Sequence, residues 1–84
     1  MASTIHRTNP IRKAFASNMR TLRLLRGLTQ EELAKKMGCD RITIVRHEGG
    51  HNIPTFEFAC RLADMLGCDV ASLRRDLSKG QRTA

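Results

Sequence analysis

The sequence predicts an all-α fold, a compact bundle of five short helices forming one domain. Three observations point there. Glycines at 27, 38, 49, 50 and 67 divide the chain into pieces of helical length, and Thr29, Asp40, Thr55 and Asp69 stand where helices need N-caps. Apolar residues within those pieces recur every three or four positions, and few stretches alternate with period two. With three Phe, no Trp and no Tyr in 84 residues, the core must be built from Leu, Ile, Met, Ala and Cys, as in small helical bundles.

Residues 1–9 are polar and aperiodic and read as a flexible basic arm. Asn9 and Pro10 then form a helix start, cap followed by first-turn proline, and the first helix spans about 10–26. Phe15, Met19 and Leu22 mark its core face. Leu24 and Leu25 fall off that stripe, either lipped against later helices or forming an exposed contact patch. Gly27 stops the helix. Thr29 opens the second, with Glu32 completing a Thr-x-x-Glu capping box. Leu33, Ala34 and Met37 face inward, and Ala34 is small enough for two crossing helices to approach closely. Gly38 supplies a turn in which positive φ is cheap.

The third helix spans about 40–48, with Ile44 as inward anchor, and ends at Gly49-Gly50. After a loop closed by Pro54, Thr55 caps a fourth helix over about 55–66, with Phe56, Ala59, Cys60, Ala63 and Leu66 as its expected buried stripe. Asp69 caps a fifth, about 70–77, with Val70, Leu73 and Leu77 on one face. Residues 78–84 read as a disordered tail, so the domain is expected over 10–77.

The formal net charge is +7, and it is uneven. Residues 1–26 carry Arg7, Arg12, Lys13, Arg20, Arg23 and Arg26 and no acid, which favours a polyanionic partner. No apolar run approaches the ~18 residues of a membrane span, and the N-terminus has no apolar secretory segment. Cys39, Cys60 and Cys68 lack CxxC spacing and sit where helices want small hydrophobes; buried free thiols in a reducing cytoplasm are expected. His47 and His51 have a metal-ligand spacing, but Gly49 and Gly50 between them break the helix, so no metal is expected, nor any cofactor. No nucleophile–base pair, phosphate-cradling glycine loop or carboxylate cluster suggests an enzyme.

Residues 29–48 place two short helices across a tight turn. The second of them projects with arginines on its open side, the helix-turn-helix layout of a major-groove reader of DNA. The run Gly27-Leu28-Thr29-Gln30-Glu31-Glu32-Leu33-Ala34, with Gly38, Ile44, Glu48, Pro54 and Gly67-Cys68-Asp69-Val70, resembles the Cro/CI-type (XRE) helix-turn-helix family over roughly residues 12–77. The family includes phage repressors and restriction–modification controller proteins. The resemblance implies a lambda-repressor-like domain that binds double-stranded DNA as a homodimer on a pseudopalindromic operator. His47 departs from it, standing where the family usually has an aliphatic or aromatic core residue.

With Ile44 pointing in, the open face of the third helix shows Arg41, Ile42, Val45 and Arg46 as candidate base readers. An arginine can bond both O6 and N7 of guanine, while Ile42 and Val45 offer methyl groups to thymine. The other reading of each arginine is a phosphate contact or a solvated side chain. Gln30, Thr43, His51 and Asn52 are candidate phosphate ligands, with His51 also readable as an exposed loop residue. The resemblance implies that Gln30 braces the residue opening the third helix and that Arg23 and Glu48 form a buried structural salt bridge. Val70, Leu73 and Leu77 are the expected dimer interface. A second function reading is an antitoxin that holds a small partner protein on Leu24 and Leu25 and regulates its own operon.

Overall fold

The computed structural model describes residues 10–75. Five helices follow in order: α1 Pro10–Leu25, α2 Gln30–Met37, α3 Arg41–Glu48, α4 Phe56–Leu66 and α5 Val70–Arg74. No strand occurs among the described residues. The expected arm and tail lie outside them, as do the Asn9 cap and Leu77.

A repeated tripeptide explains the punctuation. Gly38 adopts φ +73°, a left-handed conformation that a side chain would strain. There its N–H donates to Lys35 O and the Cys39 N–H donates to Ala34 O, which satisfies the last carbonyls of α2. The same bond pair closes α1 through Gly27 and Leu28, α3 through Gly50 and His51, and α4 through Gly67 and Cys68. After Gly27, Gly38 and Gly67 comes a residue packed on the core (Leu28, Cys39, Cys68) and then a cap (Thr29, Asp40, Asp69). Glycine, apolar residue and cap thus end one helix, plug the core edge and start the next. Thr29 Oγ1 accepts from Glu32 N at 3.0 Å while Glu32 Oε1 accepts from Thr29 N at 2.9 Å. Asp40, Thr55 and Asp69 each accept from the backbone N–H three residues on.

The core sits where α1 packs on α3 and α5, α2 on α3 and α4, and α4 on α5. Met19, Leu33, Ile44, Leu62, Leu66 and Leu73 are fully buried at its centre. Ala34, on α2, is 2% exposed; its small side chain lets α3 approach α2. Removing side-chain volume at any of the fully buried six would cost about 2–5 kcal/mol, because such a core collapses only in part.

Three expectations need correction here. Phe56 is 79% exposed, not buried. It occupies the first position of α4, above the layer in which Ala59, Leu62, Ala63 and Leu66 meet the core. Phe58 instead turns inward and stacks on His47, ring centroids 4.1 Å apart and planes 10° from parallel. Leu62, absent from the expected stripe, is fully buried. Leu73, expected between two copies of the chain, is enclosed by this chain's own core with no exposed surface, and Val70 packs half-buried against it.

The fifth helix also ends sooner than its periodicity suggests, and a buried amide accounts for that. Asn18, 5% exposed on α1, donates its Nδ2 hydrogens to Ser72 O at 3.2 Å, Leu73 O at 3.0 Å and Arg75 O. Every neighbour is a carbonyl, so chemistry itself orients the amide. Arg75 is drawn into extended backbone, φ −79° and ψ 142°. Asn18→Ala would strand these carbonyls, each orphan costing about 1–3 kcal/mol. We expect a loss of about 2–3 kcal/mol in urea unfolding, with amide exchange rising first in α5. A loss under about 0.5 kcal/mol would remove Asn18 from this role.

Candidate nucleic-acid interface

α3 has one locked side and one open side. Ile44 is fully buried, and His47, 8% exposed, is held by the Phe58 ring and by a bond from its Nδ1 to Thr43 O at 2.9 Å. A carbonyl can only accept, so the ring hydrogen of that bond is on Nδ1. The histidine that looked anomalous in the sequence is thus a satisfied core residue. On the other side Arg41 and Arg46 are exposed, Ile42 is 58% exposed, and Val45 is half-buried. Asn52, in the following loop, accepts from Arg46 Nε at 3.4 Å, which steadies the guanidinium and leaves its outer nitrogens open.

The end of α3 is anchored to α1 by a buried ion pair. Arg23 Nε meets Glu48 Oε2 at 2.7 Å and Arg23 Nη2 meets Glu48 Oε1 at 3.0 Å, with side chains 7% and 4% exposed. The third guanidinium nitrogen, Nη1, donates to Leu28 O at 2.7 Å. Gln30 Nε2 also donates to Glu48 Oε1, at 3.2 Å. So the glutamine braces the last residue of α3, not its first, a correction to what the family resemblance implied. One amide hydrogen of Gln30 is left for another acceptor.

Thr43 also differs from expectation as a phosphate donor. Its hydroxyl donates to Asp40 Oδ1 at 2.9 Å, within the cap that starts α3. An asparagine or aspartate cap followed three residues later by threonine is the sequence signal for such a bond. His51 is exposed, yet its ring is not loose: a Cβ at Gly49 would meet its Cδ2 at 2.8 Å, so the imidazole lies back against the α3 terminus. His51 and Asn52 share a recess with Arg12, His47, Ile53, Thr55 and Phe58.

A helix-turn-helix family model matches residues 19–73, from the second half of α1 to the buried leucine of α5. The chain belongs to the helix-turn-helix family. Among relatives of this helix-turn-helix chain, an uncharacterized HTH-type transcriptional regulator of Methanocaldococcus jannaschii is 35% identical over 57 residues, 68% of this chain and 86% of that protein. The cryptic phage CTXphi transcriptional repressor RstR of Vibrio cholerae is 37% identical over 62 residues. That match takes in 74% of this chain but only 56% of the repressor, so the chain spans little more than half its length. The crystal structure of a hypothetical transcription factor, NHTF from Neisseria, superposes with TM-score 0.78 at 29% identity, covering 82% of this chain and 79% of that one. The clp gene regulator ClgR of Corynebacterium glutamicum shares the fold, with TM-score 0.75 at 23% identity, covering 82% of this chain and 73% of that one.

The arginines of this helix-turn-helix domain divide into two groups that charge counting does not separate. Arg23, Arg26 and Arg61 serve helix ends. Arg61 Nη2 donates to Met37 O at 2.7 Å, beside Gly38, and the Arg26 guanidinium lies 3.4 Å from where a Cβ on Gly67 would be. Arg61 thereby satisfies a terminal carbonyl of α2, and a cation at either of these C-terminal helix ends interacts favourably with the helix dipole. Arg20 and Arg41 have no hydrogen-bond or ion-pair partner among the described residues. Arg20 is the residue the sequence reading missed. It lines a recess with Gln30, Val45, Glu48 and Gly49, between α1 and the open side of α3. The signal was its spacing: three residues before Arg23, it shares the α1 face that meets Glu48.

Two of the three thiols are held in the neutral form by their setting. Cys39, Cys60 and Cys68 are free and half-buried. Burial, and secondarily the adjacent Asp40 and Asp69 charges, push the Cys39 and Cys68 thiols above their usual range, so they stay protonated at neutral pH.

Proposed function

We propose that this chain is a sequence-specific regulator of transcription that binds double-stranded DNA as a homodimer on a pseudopalindromic operator and acts in the cytoplasm. α3 enters the major groove, and half-sites lie about one helical turn apart. The observation that carries the reading is the division of α3. Ile44 and His47 lock one side into the core, while Arg41, Ile42 and an Asn52-steadied Arg46 occupy the other. Arg41, Ile42, Val45 and Arg46 read bases, and Gln30, His51, Asn52 and the added Arg20 contact phosphates. Thr43 is left out of the phosphate set because its hydroxyl serves the α3 cap. Likeness to named transcriptional regulators supports the same conclusion. No helix of the described residues is long and apolar enough to cross a membrane.

Selection of binding sites from random duplex DNA tests it, since half-site sequence, spacing and symmetry emerge together. Arg46→Ala should then relax preference at particular base positions, each by about 1–3 kcal/mol. Equal weakening on every sequence would make Arg46 a phosphate ligand, and failure to enrich any sequence would end the proposal. One observation favours a second reading, the antitoxin: Leu24 and Leu25 are 56% and 70% exposed. Co-purification of a small protein toxin, lost in Leu24→Ser/Leu25→Ser, would support it.

A further inference from the structure

The exposed apolar side chains of this domain fall in two main places with opposite electrostatic settings. Leu24 and Leu25 lie beside the exposed Arg20 and Arg26. Ile53, 71% exposed, and Phe56, 79% exposed, bracket Pro54 and Thr55 in a stretch without charge. We infer that the Ile53–Phe56 surface, and not α5, is the seam through which two copies of this chain pair.

Three observations select a second copy as the occupant. First, each copy carries a formal charge of +7, so two copies repel wherever cationic faces meet. The Ile53–Phe56 stretch lets apolar surface meet at the lowest such cost, whereas the arginines around Leu24 and Leu25 make that patch suited to an acidic partner. Second, the stretch carries complementary charge at its edges. Glu57, exposed, follows Phe56, and Arg12 and His51 line the recess beside Ile53. In a two-fold pairing, the acid of one copy faces the basic rim of the other, and each such contact occurs twice. Third, Ile53 follows the end of α3 by five residues. A seam there lies beside the end of the helix proposed to read DNA. The α5 seam lacks all three: Leu73 is enclosed, and Arg74 and Arg75 are exposed next to it.

The inference rests on reading the chain as a paired DNA-binding protein, and the test separates the two. Sedimentation equilibrium of the full chain over a wide concentration range is compared with Ile53→Ser/Phe56→Ser, Phe56→Arg and Leu24→Ser/Leu25→Ser. The first two should raise the dimer dissociation constant on the order of 30-fold, the loss of a contact hot spot, and the third should leave it unchanged. Circular dichroism in urea serves as the folding control, because both altered side chains are exposed, and binding to a duplex carrying one selected half-site reads the DNA-binding surface separately. A parent chain that stays monomeric, seam variants that pair as tightly as the parent, or a parent that dissociates only when Leu24 and Leu25 are changed would overturn the inference. Half-site binding retained in those cases leaves the DNA-binding reading intact; a parent that binds no duplex sinks that reading instead.

Discussion

Affinity for the selected operator should fall about 10³- to 10⁵-fold between 50 and 200 mM salt, as expected when a dimer neutralises about six to ten phosphates. The structure supplies the cations for this. Arg20 and Arg41 are unpaired among the described residues, Arg46 keeps its outer nitrogens free, and Lys13 is exposed on the α1 face shared with Arg20. A guanidinium that already holds a protein carboxylate releases few counterions on binding, so Arg23 adds little to the slope. Arg20→Ala should lower the slope of log affinity against log salt by about one for each contact removed, while leaving the selected sequence unchanged. Arg41→Ala should instead change the preferred bases. Fluorescence anisotropy of labelled operator at several salt concentrations gives both readouts. A flat salt response would refute phosphate anchoring, and a changed sequence preference in Arg20→Ala would move that residue to the base-reading set.

Arg23→Ala should cost about 3–5 kcal/mol of folding stability, the usual result of removing one member of a buried pair. The reason lies in what remains. Glu48, its side chain 4% exposed, would keep one bond from Gln30 and no opposing charge, and Leu28 O would lose its donor. A small domain has roughly 5–15 kcal/mol in total, so such a loss is a large share of it. The melting temperature should drop by tens of degrees, at about 4–8 °C per kcal/mol for a domain of this size. Arg23→Met/Glu48→Leu, which removes both charges, should recover much of the stability. Circular dichroism in urea measures each variant. A single-variant loss below about 1 kcal/mol would show the pair to be peripheral to folding.

This pair also bears on the proposed DNA-reading surface. Glu48 is the last residue of α3, and Arg23, Gln30 and Leu28 tie it to α1 and to the turn before α2. The angle at which Arg41 and Arg46 project is therefore set by a buried network. In the double variant, we expect operator affinity to fall more than stability does, because apolar replacements pack without fixing that angle.

The local elements were legible because their signals are local. A cap needs an oxygen three residues before a backbone N–H, and a helix stop needs a glycine at left-handed φ. Both requirements are met within a few residues of chain, at Thr29, Asp40, Thr55 and Asp69 and at Gly38. The open side of α3 was legible for a similar reason: once Ile44 faces the core, helical geometry sends Ile42 and Arg46 elsewhere. Errors appeared where a residue's surroundings come from distant chain. Phe56 continues the α4 periodicity, but its side chain stays exposed while Phe58, in the same turn, takes the inward place against His47. Leu73 has the right chemistry for an interface, but α1 and α4 cover it. Gln30 has one amide hydrogen on Glu48, a partner 18 residues along the chain that only the fold reveals.

The amino-acid order by itself determined that this chain makes five helices, four of them opened by the caps Thr29, Asp40, Thr55 and Asp69, and that an arginine-bearing third one follows a tight turn, since those outcomes depend on contacts spanning at most a few residues. Tertiary structure alone decided which arginines are available to a partner. Arg23 bonds the Glu48 carboxylate and Leu28 O, Arg61 bonds Met37 O, and Arg20 and Arg41 have no such partner among the described residues. Charge is a property of the residue, whereas pairing depends on which acceptor the folded chain brings within about 3 Å of it.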